Sequence, residues 1–430
     1  MRLASLTAFV ALAAAAACTK DNPDYCGSNP CPIDAPLPID GASGCTANPG
    51  ICTADQSCLD DQCVDCVTNN NHQQADCTRP AAPVCAADHS CRACAADSEC
   101  DSNWCEAGTC IASSDVIYVA TNGTASSGCN QGAACSTMAQ GIAELTASRK
   151  YISVAPGTYS SSAAITINGT AVIRAEGVTL ERSNNNQILE VQGGDVTVIG
   201  ATVHNAAGMG EADGIKCLNG ARLTLRHVIV DNNADRGIEA PDCDLIIARA
   251  IISNNRKGGV RLEAGRITAA NMFVFFNGDN AGSVGGMTVA PTLAGSRIEF
   301  STFRKNNAQT GSIGALQCAG QQITARNNII YGSANTDVEV SGAACIHSYS
   351  VIGPMNTPTG TEVRSLPIAD IGFVNANGTT AADYHITGTS MVRGTAAENS
   401  TMGDTAVDYD GDARPAPAGG RADLGADEVP

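Results

Sequence analysis

The stretch that decides the fold is residues 223–262, LTLRHVIVDNNADRGIEAPDCDLIIARAIISNNRKGGVRL. It contains two copies of one pattern, spaced 22 residues apart: apolar strands begin at Leu223 and Leu245, and asparagines follow nine residues later, at Asn232 and Asn254. The apolar residues of each strand alternate with polar ones, as in a half-buried strand. A repeat of this length predicts a fold built by stacking similar turns.

The pattern continues on both sides of this stretch. The predicted strand starts are Val196, Leu223, Leu245, Ile267, Ile298 and Ile323. The turn residues that follow them are Asn205, Asn232, Asn254, Asn277, Asn306 and Gly332. These turn residues are spaced by 27, 22, 23, 29 and 26 residues. Asparagine tolerates the left-handed backbone of such turns and can bond the same amide in the next turn. We therefore expect the five asparagines to form a ladder.

A second column of short strands follows the asparagines, and each of these strands is preceded by a glycine. Its five copies begin at Gly214, Gly237, Gly259, Gly286 and Gly314. The intervening segments are too short and too rich in glycine for the helices of an alternating α/β domain. The sequence predicts an all-β fold, a parallel β-helix over residues 115–430 with about ten rungs spaced by about 4.8 Å.

The start of this domain has the layout of a capped solenoid. Residues 115–119 predict a strand, and residues 136–150 predict a helix with Ser136 at its N-cap. Tyr151 then opens the β region, which soon contains VAPGTY at residues 154–159. This order resembles the beginning of many right-handed parallel β-helix proteins, in which the helix covers the first rung. The resemblance implies a right-handed coil and a capping helix.

The last hundred residues resemble a more specific group. The segments that carry the resemblance are NNIIYG at 327–332, SYSVIG at 348–353, IGFVN at 371–375, DYHI at 383–386, TSMV at 389–392, DYDGDARP at 408–415 and ADLGADE at 422–428. In this order they are similar to the C-terminal signature of bacterial right-handed β-helix surface proteins of the choice-of-anchor Q group. The resemblance covers roughly residues 115–430 and implies export and a closing segment at 401–430. It implies no shared chemistry.

The N-terminus is typical of an exported protein. Arg2 precedes an apolar run that ends at Ala17, as in a signal peptide of residues 1–17, and the run is too short to span a membrane. The sequence AAAC at 15–18 resembles the lipobox of bacterial lipoproteins, although those proteins prefer Leu at the position of Ala15. The resemblance implies lipidation of Cys18 and a membrane partner. The alternative is cleavage without lipidation. Of 21 cysteines, 20 remain to pair if Cys18 is a thioether. We expect a lipid anchor at the cell surface or outer membrane, or otherwise secretion.

Charge is concentrated near the N-terminus. The chain has a formal net charge of −18, which argues against a nucleic-acid partner. Residues 19–110 hold 14 acidic and 3 basic side chains, a net charge of −11. Residues 18–44 are rich in Pro and Asp and predict an extended tether, while residues 45–110 contain twelve cysteines and predict a disulfide-bonded stalk. The pairing within residues 26–110 stays open at this stage, and no cofactor is expected.

Cysteines of the β-helix predict bonds between neighbouring turns. Cys217 and Cys243 lie 26 residues apart, and Cys318 and Cys345 lie 27 apart, close to one turn in each case. Equivalent Cα atoms of neighbouring turns lie near disulfide range. We predict the disulfides Cys217–Cys243 and Cys318–Cys345, together with Cys129–Cys135 in a short loop. The alternative is free thiols in the core.

The candidate binding residues lie on the glycine-led strands. The residue after each buried Ile or Val is expected to point outward, which places Lys216, Glu239 and Arg261 in one stripe with Asp213 and Asp235 nearby. β-Helix polysaccharide lyases and hydrolases place their clefts on such a face, so one interpretation is a sugar-binding groove with a carboxylate pair for acid–base catalysis. The other interpretation, which the sequence favours, is that the alternating charges neutralise one another along the stack.

Other candidates for chemistry are weak. Asp408, Asp410 and Asp412 begin like a calcium loop, but no glutamate follows at EF-hand spacing, so we expect a structural turn closed by Arg414 and keep calcium as the alternative. His204 and His227 are expected to be exposed loop residues without a partner nucleophile. The Gly-His-Gly and paired-Asp blocks of polygalacturonases are absent, as is the arginine context of pectate lyases.

The leading hypothesis is a non-catalytic surface lipoprotein that displays the β-helix on the stalk for adhesion or glycan binding, with a polysaccharide or another surface protein as partner. The alternative is a carbohydrate-active enzyme, a polysaccharide lyase or glycoside hydrolase, with its groove along the Lys216–Glu239–Arg261 stripe. A deep cleft lined by carboxylates would favour the enzyme.

Overall fold

The structure is a computed structural model and describes residues 45–46, 51–54, 56–67, 71–182, 184, 186–208, 210–279, 284–333, 338–353, 357–398 and 403–430. The chain divides into two compact units, one ending at Cys110 and the other comprising Ile111–Pro430. Cys18, Cys26, Cys31 and the predicted signal peptide and tether lie outside the described residues. Among the described residues, no helix is both long and apolar enough to cross a membrane.

From Cys45 onward, where the structure describes it, the N-terminal unit is a series of three small modules, each closed by two disulfides. Within each module the first cysteine bonds the third and the second bonds the fourth. The pairs are Cys45–Cys58, Cys52–Cys63, Cys66–Cys85, Cys77–Cys91, Cys94–Cys105 and Cys100–Cys110. The six short strands are β1 (Ser57–Leu59), β2 (Gln62–Val64), β3 (Val84–Cys85), β4 (Cys91–Arg92), β5 (Cys105–Glu106) and β6 (Thr109–Cys110). With so few apolar residues, the covalent bonds replace a core.

The second unit is an all-β parallel β-helix whose turns contribute strands to three faces. The third face is a separate eight-stranded parallel sheet. Its strands are β10 (Ile165–Asn168), β13 (Leu189–Gly193), β16 (Ile215–Cys217), β19 (Arg236–Ala240), β21 (Gly258–Leu262), β23 (Met287–Val289), β26 (Ile313–Cys318) and β29 (Val338–Ser341). Because each strand comes from a different turn, this face counts eight turns.

The first and second faces form one continuous sheet of 17 strands. The first face contains β7 (Val116–Val119), β8 (Tyr151–Val154), β11 (Ala171–Arg174), β14 (Asp195–Ile199), β17 (Ala221–Arg226), β24 (Ser296–Glu299) and β27 (Ile323–Arg326). The last strand, β31 (Thr361–Arg364), pairs with residues 348–351 and so lies across the corner between the two faces. The second face contains β9 (Gly157–Ser161), β12 (Val178–Arg182), β15 (Thr202–Ala206), β18 (Ile229–Asp231), β25 (Thr302–Arg304) and β28 (Ile329–Tyr331). The long strands β20 (Cys243–Ser253), β22 (Gly265–Phe275) and β30 (Cys345–Ile352) run through both faces. Apart from β31, the first face therefore stacks ten strands and the third face eight, so the expectation of about ten rungs agrees with the first face.

Alternating apolar side chains fill the interior of the β-helix. Val196, Leu223, Leu245 and Ile267 stack in one column of the first face, as their equivalent positions in the repeat predict. Ile298 does not join that column, because it pairs with Ala269, two residues further along. Its alignment as a strand start was therefore wrong by two residues. Ser296 takes the position opposite Ile267 and is buried there, with its hydroxyl accepting the Ile267 N–H at 3.2 Å.

Left-handed backbone recurs at all three corners of the turns, and at the corner between the third and first faces glycine usually adopts it, as at Gly194, Gly220 and Gly265. At the corner between the first and second faces the residues with positive φ are Gly177, Gly200, His227, Arg249, Asn271, Phe300, Asn327 and Tyr349. At the corner between the second and third faces they are Asn205, Asn232, Asn254, Phe276, Lys305 and Gly332. Only Gly is free of steric cost in this conformation, and Asn tolerates it better than most residues.

The buried asparagine ladder lies one residue after this second corner. Its members are Asn233, Asn255, Asn277 and Asn306, and each Nδ2 donates to the Oδ1 of the next, at 2.8, 2.9 and 3.1 Å. Asn277 and Asn306 were predicted correctly. The prediction that Asn205, Asn232 and Asn254 belong to the ladder was wrong. These exposed residues form the left-handed corner, while the following residue points inward.

Glycine is required beside the ladder because neighbouring turns approach closely there. A Cβ on Gly237 would lie 2.6 Å from Asn255 Nδ2 and 2.7 Å from the carbonyl oxygen of Gly259. A Cβ on Gly214 or on Gly259 would likewise lie 2.7 Å from a carbonyl oxygen of the next turn. The fifth predicted copy is shifted by one residue, since Leu316 pairs with Met287 and the residue opposite Gly286 is therefore Ala315 rather than Gly314.

The helix that precedes the first full turn is shorter than predicted. Helix α1 comprises Met138–Ala143, and its N-cap is Thr137 rather than Ser136. The Thr137 hydroxyl accepts the backbone N–H of Gln140 at 3.2 Å, while the Gln140 side chain accepts the N–H of Thr137, which completes a capping box. Ser136 instead donates to the Gln140 side chain.

Three disulfides lie within the β-helix unit at the pairs that the spacing predicts. The Cα–Cα distances are 4.8 Å for Cys129–Cys135, 5.8 Å for Cys217–Cys243 and 5.4 Å for Cys318–Cys345. Cys217 ends a strand of the third face and Cys243 opens the next turn on the first face. The last two bonds therefore link consecutive turns.

The chain after β31 returns over the outside of the second face. We call residues 366–398 and 403–430 the closing segment. It contains helix α2 (Ile368–Ile371), and its buried side chains include Tyr384 and Leu424. These pack against the outward side chains of Phe273 and Phe275. The closing segment therefore covers the apolar exterior of the second face. It also begins upstream of the predicted closing region, residues 401–430.

Candidate functional site

A column of polar side chains runs the length of the third face. Lys216 is in register with Glu239, and Glu239 with Arg261, as the alternation of the strands predicts. The same register continues through every strand of this face. The full column is Thr166, Glu190, Lys216, Glu239, Arg261, Thr288, Gln317 and Ser341. Parallel strands place successive members about 4.8 Å apart, so the column presents polar groups at a regular spacing.

Ion pairs connect the charged members of this column to neighbours. Arg261 Nη1 lies 3.5 Å from Glu239 Oε1, and Arg236 Nη1 lies 3.2 Å from Glu239 Oε2. Lys216 pairs with Glu211 rather than with a carboxylate of its own column. Along the stack only Glu239 and Arg261 pair with each other, so the favoured interpretation of the sequence holds for part of the stripe, and Lys216 is neutralised from outside it.

Two predicted carboxylates lie at the entrance of the third face and are buried. Asp213 Oδ1 accepts the backbone N–H of Arg236 at 3.0 Å. Burial, reinforced by the nearby negative charges of Asp235 and Glu239, raises the pKa of Asp213 to about 7. Asp235 pairs with Lys257, whose Nζ lies 2.7 Å from Asp235 Oδ2.

Burial also changes the proton affinity of Glu239. Its pKa is raised, chiefly because the side chain is removed from water, while Arg236 and Arg261 oppose the change. Asp213 and Glu239 are thus two carboxyl groups whose environments favour the protonated form, which is the property expected of a general acid or base.

An open cleft of about 660 Å³ lies beside Arg261 on the third face. Its charged and polar lining consists of Arg236, Arg256, Lys257, Arg261, Asp279, Thr288 and Gln317. Arg256 Nε lies 3.4 Å from Asp279 Oδ2. The cleft therefore presents four cationic side chains on a protein whose net charge is strongly negative, which suits anionic groups of a ligand.

Of the predicted residues, the structure brings Lys216, Glu239 and Arg261 into one column and puts Asp213 and Asp235 at its edge. Sequence reasoning missed Arg236, Arg256 and Lys257. A signal for two of them was present: Arg236 immediately precedes the glycine of its strand, and Lys257 lies 22 residues after Asp235, one turn on. Comparing the positions before each glycine would have found them.

The two histidines considered earlier differ in their placement. His204 lies on β15, and its Nδ1 is 2.9 Å from Oδ1 of Asp231 on the neighbouring strand β18. His227 is exposed and occupies the left-handed corner between β17 and β18, where partial desolvation lowers its pKa. The expectation of an exposed loop residue was therefore wrong for His204, which belongs to a strand, and is confirmed for His227.

The three aspartates of the predicted calcium loop take different roles. Asp408 is buried; its Oδ1 accepts the N–H groups of Gly411 and Asp412, and its Oδ2 accepts that of Glu428. Asp410 turns away toward His385. The turn is therefore closed by Asp408 itself, and its three carboxylates do not converge on one calcium position.

The expectation that the Arg414 side chain closes this turn was wrong. Its guanidinium is fully buried, donates to Glu428 Oε2 at 3.0 Å and also donates to the carbonyl oxygens of Asp423 and Gly425. Arg414 thereby holds residues 423–428 of the closing segment together through hydrogen bonds.

The match to one family model agrees with this architecture. Residues 140–288 match the model of the right-handed β-helix region family. Among solved structures, the crystal structure of pectate lyase Pel9A is similar with a TM-score of 0.49 and 16% sequence identity, covering 73% of this chain and 96% of that chain. No relative was found among curated proteins. The chain is an all-β, right-handed parallel β-helix with a disulfide-rich N-terminal region.

Proposed function

We propose that this protein is an exported surface protein that binds a polysaccharide along its third face without cleaving it. The observation that carries the proposal is the in-register column from Thr166 to Ser341, with the cationic cleft beside Arg261. A binding surface that repeats once per turn fits a ligand that is itself a repeating polymer. The cationic side chains of the cleft would bind acidic groups of such a polymer.

The absence of cleavage is proposed because the carboxylates of the stripe have structural partners. Glu239 is held between Arg236 and Arg261, Asp235 pairs with Lys257, and Asp213 accepts a backbone N–H. Reaction would require one of these groups to leave its partner.

A second candidate, a polysaccharide lyase or hydrolase, is favoured by one observation. Asp213 has a pKa of about 7, so at neutral pH its carboxyl group is divided between protonated and ionised forms, as a general acid or base requires. In this alternative Asp213 exchanges the proton while Arg261 or Lys257 binds a uronate carboxylate.

We further propose that the protein is anchored through a lipid on Cys18, as in choice-of-anchor surface proteins with a lipoprotein N-terminus. The proposal rests on the signal-like residues 1–17 and on cysteine parity. Metabolic labelling with a fatty-acid analogue, followed by detergent phase partitioning, would test it. Labelling should be lost in Cys18→Ser; equal labelling of this variant would contradict the proposal.

The binding proposal can be tested by isothermal titration of the purified protein against neutral and acidic polysaccharides. Arg261→Ala should weaken binding of an acidic polymer, because a charged hydrogen bond contributes on the order of 1.5 kcal/mol, or about tenfold in affinity. Arg266→Ala is the matched control: it lies five residues further along on the first face, and it has its own ion pair with Asp244 at 3.2 Å.

Equal losses in the two variants, or no binding to any polymer, would contradict a site on the third face. The same mixtures should be assayed for new reducing ends and for unsaturated uronate products. Product formation that disappears in Asp213→Asn would overturn the non-catalytic proposal in favour of the second candidate.

A further inference from the structure

A histidine and two aspartates converge in the closing segment, away from the third face. His385 Nδ1 lies 3.1 Å from Asp427 Oδ1 and 3.4 Å from Asp410 Oδ2. The three ligand atoms lie within 4.8 Å of one another. They come from three separate parts of the segment: the residue after a short 3₁₀ turn, the turn that follows Tyr409, and the C-terminal residues.

Surrounding contacts fix the orientation of two of these side chains. The His385 ring stacks on Phe273 of β22, with centroids 5.2 Å apart and an interplanar angle of 7°. The other carboxylate oxygen of Asp427 accepts the backbone N–H of Ile386 at 2.7 Å, which aims Oδ1 at the imidazole. Outer contacts of this kind are what orient metal ligands in known centres.

Asp410 is positioned by the turn that contains it. Asp408 accepts the N–H groups of Gly411 and Asp412, and this closes the backbone beneath Asp410. The Asp410 side chain is 46% exposed, so the cluster opens to solvent on that side. An ion and a water molecule could enter there without disturbing the core.

The charges at the cluster do not balance. Two carboxylates face one imidazole, and the buried Asp408 adds its negative field from below. Of the nearby arginines, Arg414 is bonded to Glu428, and Arg249 donates to the carbonyl oxygen of Tyr409. A bound divalent cation would neutralise the excess.

We propose that His385, Asp410 and Asp427 form a site for one divalent transition-metal ion of the zinc type. A tetrahedral centre with zinc–ligand bonds of roughly 2.0–2.2 Å separates its ligand atoms by roughly 3.3–3.5 Å, close to the two separations found here. The nitrogen ligand argues against calcium, which prefers six to eight oxygen ligands. The fourth position would be taken by water at the exposed side.

The ion would have a structural effect because its ligands come from three parts of the closing segment. It would join these parts to one another directly above Phe273, where the segment covers the second face. Binding to the folded state alone raises its stability in proportion to the logarithm of the free metal concentration.

The test uses the purified protein without reductant, so that the cysteines remain paired, after removal of metal with a chelator. Zinc, manganese and calcium ions are titrated separately by calorimetry, with bound metal counted by mass spectrometry and thermal unfolding recorded in parallel. We expect one zinc ion per chain, a higher unfolding temperature with zinc, and weaker binding of calcium.

Asp410→Asn and His385→Gln should each weaken zinc binding by more than about tenfold, because each removes or weakens one of three protein ligands. Asp412→Asn is the matched control, since Asp412 is an exposed acid of the same turn outside the cluster. Asp410 is exposed, so its variant should fold normally. No zinc binding by the native protein, or equal binding by all three variants, would overturn the proposal.

Discussion

Asn254 and Asn255 are neighbours in the sequence but perform opposite tasks in the structure. Asn254 is exposed and has a φ of +55°, so its backbone turns the corner into the third face. Asn255 is fully buried, donates from Nδ2 to Asn277 Oδ1 and accepts from Asn233. One residue supplies a backbone conformation, and the other supplies hydrogen bonds between turns.

Replacing these two asparagines separately should distinguish the tasks. Asn255→Ala leaves buried donors and acceptors of two neighbouring turns without partners, so we expect a loss of roughly 2–4 kcal/mol of stability. Asn254→Gly keeps a residue that adopts positive φ at no steric cost, and its stability should stay within about 0.5 kcal/mol. Chemical unfolding followed by circular dichroism measures both. Equal losses would contradict the division of roles.

Gly237→Ala should destabilise the β-helix through a steric conflict. The added methyl group would lie 2.6 Å from Asn255 Nδ2, so that part of the ladder has to move, at a cost of about 1–3 kcal/mol. Gly132→Ala serves as control, because the nearest atom to its new Cβ is 3.8 Å away. Thermal unfolding should show a clear decrease only for Gly237→Ala; a tolerated alanine there would mean that the turns can separate.

Asp213 should make stability depend on pH near neutrality. Its pKa in the folded protein is raised to about 7, so its favourable contribution is complete below the unfolded pKa and is lost as the pH rises through 7. Asp213→Asn should therefore become more stable than the native protein by roughly 2–4 kcal/mol at pH 8, and the difference should shrink toward pH 4. The exposed Asp242 provides a control through Asp242→Asn. A difference independent of pH would contradict the raised pKa.

Arg414 and Glu428 should depend strongly on each other. Both side chains are fully buried, and Arg414→Met would leave the Glu428 carboxylate without its charge partner, at a cost of about 3–5 kcal/mol. The double variant Arg414→Met/Glu428→Gln should recover part of this loss. Arg421→Met is the control, because Arg421 is exposed, donates to the carbonyl oxygens of Thr395 and Ala396 and lies over the Tyr349 ring. Thermal unfolding and limited proteolysis of the closing segment would measure these losses of stability. Equal losses in Arg414→Met and Arg421→Met would contradict the predicted dependence between Arg414 and Glu428.

Much of the fold could be predicted because the repeat fixes it at several independent positions. The strand starts Val196, Leu223 and Leu245 and the glycines 214, 237 and 259 define the same turns, so errors in one column are limited by the other. Errors occurred where adjacent residues of one type could exchange roles. In Asn-Asn pairs, composition does not tell which asparagine turns inward, whereas the register of hydrogen bonds does.

The candidate sites were harder to predict because they depend on contacts between distant residues. The stripe Lys216–Glu239–Arg261 follows from alternation along strands and was found. The approach of His385 to Asp427 depends on how the closing segment folds back over Phe273, which no local pattern specifies. Likewise, nothing in the sequence shows that burial raises the pKa of Asp213.

The coverage of the second face has a consequence for incomplete chains. Phe273, Phe275 and Phe300 carry their aromatic rings into the cluster with the closing segment rather than into the interior of the β-helix. A chain cut after β31 would still have the turns of the β-helix, yet it would expose these rings to water as a hydrophobic patch. Such a fragment should aggregate or be degraded. The closing segment thus keeps from water an aromatic surface that the turns of the β-helix alone leave uncovered.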